Sequence, residues 1–290
     1  MTLIACREVV RMICRPLLLA FVAATFPVAL AGQSRQLVDL GGHRLDVLRA
    51  GTSGPTVVLE AGLGGELDDW APVIPGTSQF GMVVAYSRAG FGTSEAGSQE
   101  HTARNAAIEL HALLARLQVK QPIVLVGRSY GGILVRLYTS LYPAEVAGMV
   151  IVDGSHEQQV QRWGMLDSTY PAAFRTLFEA QAKSATNPAD ASETRESLRI
   201  QAAGAVEGMT PLPDIPIAVL TSMKVDPAAT YVNGTARGHD AWRAMHDEWF
   251  RRSRNGIHIV TTRSGHAIQR DEPDLVVQAI RFVVDRVKVP

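Results

Sequence analysis

Short aliphatic runs alternate with amphipathic helical segments along most of this chain, and that alternation restricts the fold more than any other feature. Residues 56–60, 82–86, 122–126, 149–152, 217–220 and 257–260 are continuous apolar runs rich in Val and Ile. Strands that read this way are buried on both faces, which points to a mostly parallel sheet covered by helices on each side. Helices are predicted over 102–118, with Leu110, Leu113, Leu114 and Leu117 on one face, over 131–142, and over 273–287 with Val276, Val277, Ile280 and Val284 on one stripe. Residues 36–40 and 44–49 flank Gly41-Gly42 and read as a hairpin that opens the domain. The rhythm breaks over residues 155–214, which carry Trp163, Met165, Tyr170, Phe174 and Phe178 on helical segments, followed by a polar stretch. An insertion of that length at a strand end is expected to be a helical cap over a site. The domain then consists of residues 32–154 and 215–290, with 155–214 as the cap.

Gly127-Arg128-Ser129-Tyr130-Gly131 stands directly between an apolar strand and a helix. A strand-to-helix turn this tight needs small residues two places either side of the serine and holds its hydroxyl exposed beside a helix N-terminus. A serine hydroxyl needs a base to become a nucleophile. Of the eight histidines, His258 falls in a strand run, His111 on a helix, and His239 and His246 together on a predicted helix with no third metal ligand. His266 differs. It lies in Ser264-Gly265-His266, on the loop between the last strand and the last helix, where a base could reach Ser129.

These residues resemble the α/β-hydrolase superfamily across nearly all of 36–288. Arg88-Ala-Gly-Phe-Gly-Thr-Ser94 is similar to that family's D-R-x-G-x-G-x-S loop, with Ser87 in place of the usual Asp, and the segment from Ser264 to Pro273 is similar to its catalytic-histidine segment. The resemblance implies an α/β-hydrolase fold and a catalytic triad of Ser129, His266 and an acid. It also implies an oxyanion hole formed by the backbone N–H groups of Leu63, in Glu60-Ala-Gly-Leu-Gly-Gly65, and of Tyr130. The acid has two candidates. Asp153 ends a strand 24 residues after Ser129, and Asp226 follows the next strand and precedes Pro227. Either could fix the far nitrogen of His266; Asp153 is preferred and Asp226 is the alternative. Glu60 is expected to pair with Arg88 or Arg128.

Such a site implies acyl transfer on an ester, thioester or lactone. Amide cleavage and cofactor-free perhydrolysis would use the same residues, and a non-catalytic ligand-binding scaffold is the reading of another class. The substrate is expected to be a small molecule bound under Trp163, Met165, Phe174 and Phe178, with Trp70 a candidate for the entrance. No cofactor and no metal is expected, because the chain has no G-x-G-x-x-G opening a helix and no H-E-x-x-H. A formal charge of zero gives no reason to expect nucleic acid. Arg7, Arg11 and Arg15, an apolar run of 15 residues and Ala29-Leu30-Ala31 read as an export signal cleaved after Ala31. A retained anchor is the rival reading, but the run is shorter than the ~20 residues of a spanning helix. Cleavage would remove Cys6 and Cys14, the only cysteines.

Overall fold

Residues along each central strand alternate between two cores. Val57, Leu59, Val83, Ala85, Val124, Val126, Val150 and Val152 face one, while Val58, Val84, Ile123, Leu125, Met149 and Ile151 face the other. Burial on both faces is why these runs read as continuously apolar. The computed structural model describes residues 32–287, so the export-signal reading of residues 1–31 lies outside the described residues.

The strands are β1 (Ser34–Asp39), β2 (Arg44–Ala50), β3 (Thr56–Glu60), β4 (Met82–Tyr86), β5 (Ile123–Arg128), β6 (Val146–Val152), β7 (Ile217–Ser222) and β8 (Gly256–Thr261). They form one sheet in the order β1-β2-β4-β3-β5-β6-β7-β8. β1 and β2 pair antiparallel, as do β2 and β4; from β4 to β8 every pairing is parallel.

The helices are α1 (Ile74–Thr77), α2 (Ala103–Arg116), α3 (Tyr130–Leu141), α4 (Gln159–Leu166), α5 (Tyr170–Ser184), α6 (Pro188–Ala203), α7 (Ala236–Phe250), α8 (Ile268–Asp271) and α9 (Pro273–Val284). Leu110, Leu113 and Leu114 of α2 pack on one face of the sheet with α3. Val276, Ala279, Ile280 and Val283 of α9 pack on the other. The ends carry their own signals. Thr102 caps α2 by accepting the Asn105 N–H at 3.1 Å, and Asn187 caps α6 by accepting the Ala189 N–H at 3.0 Å. Pro188 and Pro273 open α6 and α9 at the first turn, and Gly204, at φ 65, closes α6.

Three helices, α4, α5 and α6, stand between β6 and β7. Val160, Trp163, Tyr170 and Phe174 of α4 and α5 form a third core, but they share it with Val232, Trp242 and Met245. Those three come from the connection between β7 and β8, outside the 155–214 insertion. Trp70 does not line an entrance: it is fully buried in the sheet core with Leu67 and Ile74.

Candidate active site

The turn after β5 is held by contact on both sides. Ser129 adopts φ 52 and ψ −123, a backbone that non-glycine residues occupy only when their surroundings force it. A methyl group at Gly127 would come within 2.4 Å of the Gly131 carbonyl oxygen, and one at Gly131 within 2.5 Å of the Ala61 oxygen. The Ser129 N–H donates to the Val152 carbonyl at 3.2 Å, and the Ser129 carbonyl accepts from Gly132 at 2.9 Å and Ser155 at 2.8 Å. The elbow is therefore tied to β6 as well as β5, at the carboxyl ends of the parallel strands where such folds place ligands.

The structure brings Ser129, His266 and Asp153 together. His266 Nε2 lies 2.8 Å from Ser129 Oγ, and His266 Nδ1 lies 2.7 Å from Asp153 Oδ2. A carboxylate only accepts, so Nδ1 carries the proton and Nε2 is free to accept from the serine hydroxyl. Asp153 is the first residue after β6 and also has a positive φ, 44. Its Oδ1 accepts the Ser222 N–H at 2.9 Å and the Trp242 indole N–H at 2.8 Å. Burial alone would raise its pKa, but the His266 hydrogen bond and charge, with Trp242, hold it below the usual carboxylate range. Asp226 is not brought to this group. It is exposed on the loop after β7, where its carboxylate accepts the Ala228 N–H at 2.9 Å.

The loop bearing His266 is organised by Glu272, which accepts from Thr261 at 2.5 Å, Ser264 at 2.7 Å and Arg263 at 2.8 Å. The Thr261 hydrogen bond is the largest influence, and with the others it draws Glu272 down to about 2. Behind Asp153, His246 is fully buried. Its Nε2–H donates to the Gly154 carbonyl at 2.9 Å, and its Nδ1 lies 2.5 Å from Thr221 Oγ1. Desolvation draws its pKa down to about 3. His258 and His246 thus pack and hold structure, and His111 lies on α2 at 3.2 Å from Glu145. His239 of α7 lines the pocket, its Nδ1 donating to the Ser222 carbonyl at 3.1 Å.

A cavity of about 440 Å³ opens above Ser129 and His266, walled by Trp163, Tyr170, Phe174, Phe178 and Trp242. That volume suits a small-molecule ligand. Met165 is not in this wall; it points outward and is 78% exposed. Polar groups also reach the cavity, among them Lys224, Asn233 and His239 from the connection after β7. The sequence reading missed these and Trp242, because nothing local in α7 announces that an indole reaches a carboxylate 89 residues away.

On the other side of the elbow, Glu60 meets Arg88, at 2.5 Å. Arg128 instead lies 3.9 Å from Asp69. Gly62 stands against Ser129, since a methyl group on it would come within 3.2 Å of Ser129 Cβ. Among the described residues, the N–H groups of Leu63 and Tyr130 take no protein acceptor, as expected for Tyr130 at the start of α3. Also among the described residues, no group of three or more His, Cys, Asp and Glu could hold a metal ion, and no helix is long and apolar enough to cross a membrane.

A model of the alpha/beta hydrolase fold family matches residues 55–203, just over half the chain, and the chain belongs to that family. It is 27% identical over 233 residues to the uncharacterized protein YqjL of Bacillus subtilis (strain 168), covering 80% of this chain and 84% of that one. Its fold is similar to that of the N-acyl homoserine lactonase AidH, with a TM-score of 0.64 and 15% identity over 89% of this chain and 98% of that one. It is also similar to a thermophilic esterase from Thermogutta terrifontis, with a TM-score of 0.56 and 18% identity over 87% and 97% of the two chains. At those identities the structures speak for the fold alone.

Proposed function

We propose that this protein is a serine hydrolase that cleaves an ester-type bond, in a carboxylic ester, thioester or lactone, through an acyl-enzyme on Ser129. The observation that carries this reading is the continuous run from Ser129 Oγ through His266 to Asp153, at 2.8 and 2.7 Å, opening into an aromatic cavity. His266 Nε2 takes the hydroxyl proton as Ser129 Oγ attacks the carbonyl carbon, and Asp153 stabilises the imidazolium that forms. The N–H groups of Leu63 and Tyr130 receive the negative charge that develops on the carbonyl oxygen. His266 then gives its proton to the departing alcohol, thiol or hydroxyl end. In the second half, water attacks the acyl group with His266 again as base, and Ser129 is regenerated. Fold neighbours named for esterase and lactonase activity support the choice of bond. A small-molecule substrate with an apolar body fits the walls formed by Trp163, Phe174 and Phe178. The same proposal keeps residues 1–31 as an export signal with cleavage after Ala31, to be read by N-terminal sequencing of the exported protein.

A panel of nitrophenyl esters of increasing chain length, thioesters and lactones tests the reading. Turnover of at least one class, with a burst of about one equivalent where deacylation is slow, is the expected result. A folded protein that turns over none of them would remove the hydrolase reading.

A further inference from the structure

The helices of the insertion are seated in two different ways. α4 and α5 rest on aromatic contacts. α6 is fastened by polar side chains: Asn187 Nδ2 donates to the Gly90 carbonyl at 2.8 Å, Ser192 Oγ accepts the His101 N–H at 3.2 Å, and Glu196 accepts the Ala103 N–H at 3.0 Å. Glu193 reaches deepest and is 1% exposed. Its carboxylate accepts Arg88 Nε at 2.6 Å and Nη2 at 2.9 Å, and its Oε2 also accepts the Gly64 N–H at 2.9 Å. Arg88 spends its remaining donors on the same loop. Nη1 donates to Glu60 at 2.5 Å and to the Ala61 carbonyl at 3.1 Å, and Nη2 donates to the Gly62 carbonyl at 2.7 Å. The other oxygen of Glu60 accepts the Tyr86 hydroxyl.

This arrangement holds the Ala61 and Gly62 carbonyls and the Gly64 N–H, and it leaves the Leu63 N–H without a protein acceptor. If covering the pocket were all that α6 did, an apolar side chain at position 193 would serve, because buried ion pairs seldom add stability over apolar packing. A forked carboxylate–guanidinium contact supplies direction instead. Direction is what an oxyanion donor needs, since it acts only when already aimed at the developing charge.

We infer that Glu193 is a positioning residue: from α6 it fixes the peptides of residues 62–64, directly and through Arg88, and so aims the Leu63 N–H at the reacting carbonyl oxygen. The cap thereby contributes to turnover as well as to the choice of substrate. The inference rests on the proposed serine-hydrolase reading of Ser129 and Leu63.

Glu193→Gln tests it, because the side chain keeps its shape but loses its charge and one acceptor: with the amide oxygen at Arg88 Nη2 and the Gly64 N–H, its NH2 is turned against Arg88 Nε–H and the fork is broken. Three quantities are read on a soluble nitrophenyl ester turned over by the wild type: kcat, KM, and affinity for an alkyl boronic acid, which forms a tetrahedral adduct on an activated serine. Loss of a whole oxyanion donor costs about 10²–10³-fold, so a misaimed one is expected to lower kcat by about 10–100-fold. Boronate affinity should fall in parallel while KM stays within about 3-fold. Glu196→Gln, which removes the α6 ion pair with Arg199 without touching the loop, should leave kcat and boronate affinity in place. An active wild type with E193Q unaffected in kcat, or with E196Q impaired as much as E193Q, would overturn the inference alone. An inert wild type would overturn the hydrolase reading and the inference with it. Should E193Q not fold, Glu193→Asp is read the same way, and hydrogen exchange of the wild type decides between outcomes. The Gly64 amide should exchange as slowly as the interior of α6, and exchange at the rate of an open loop would contradict the clamp.

Discussion

Ser129 lies between two ionic groupings that put similar side chains to opposite uses. On one side Asp153 is sealed while its partner His266 has a side chain 50% exposed at the pocket. On the other, Arg88 is closed between Glu60 and Glu193 with no side chain more than 2% exposed. In the proposed hydrolase His266 passes protons to substrate, which requires one open face and an ionised carboxylate behind it. Burial works against that in Asp153, and the His266 contact more than offsets it. A group that only holds backbone gains from being shut, because each contact strengthens as water is excluded. In the sealed grouping burial prevails for Glu60, whose pKa is pushed up despite Arg88. Arg88 keeps its proton: the surrounding carboxylates outweigh the cost of burying it.

Asp153 is the most sensitive position in either grouping. Asp153→Asn removes the acceptor that fixes the His266 tautomer and should lower kcat by about 10⁴-fold, with the melting temperature changed far less than activity. Steady-state kinetics and calorimetry on one sample check both halves. Arg88→Met attacks the sealed side and should be above all a stability change. It strands two buried carboxylates, so a loss of about 3–5 kcal/mol is expected in urea unfolding. A loss below about 1 kcal/mol would mean the cluster is not closed to water.

Acid should act through two buried imidazoles. Desolvation holds His246 at about 3, and His156, the buried ring that follows β6 and stacks on Trp249, at about 4, while the unfolded chain takes up those protons near 6.5. Their contribution is therefore complete above about pH 6.5 and declines as pH falls, by up to about 3 kcal/mol for each ring near pH 4. Melting temperatures at pH 7.5, 5.5 and 4.5 should decline stepwise; a flat profile between 7.5 and 5.5 would contradict the neutral rings. The smallest effect belongs to Asp226→Asn, which should leave kcat within about 2-fold, because that carboxylate serves only its own turn.

What could be read from the sequence was what neighbours in the chain enforce. The five residues around Ser129 contain their own steric reason for two glycines, and the strand runs carry burial on both faces in their composition. Asp153 and Asp226 could not be separated in that way. Each follows a strand, and only the path of the loops decides which reaches His266. Glu193 was hidden for a different reason: α6 has a polar sequence, and a polar helix reads as solvated, yet its buried side is the one that carries Glu193, Thr194 and Glu196. Trp70 and Met165 misled in opposite directions, one large side chain going fully into the core and the other out to solvent.

Intact-mass analysis after treatment with a fluorophosphonate asks whether Ser129 is activated by His266 and Asp153, because labelling requires an activated serine and no knowledge of the substrate. A single adduct is expected on Ser129 of the wild type, absent in Ser129→Ala, strongly slowed in Asp153→Asn and His266→Ala, and unchanged in Asp226→Asn. A folded wild type that stays unlabelled, or an adduct on any other residue, would contradict the account.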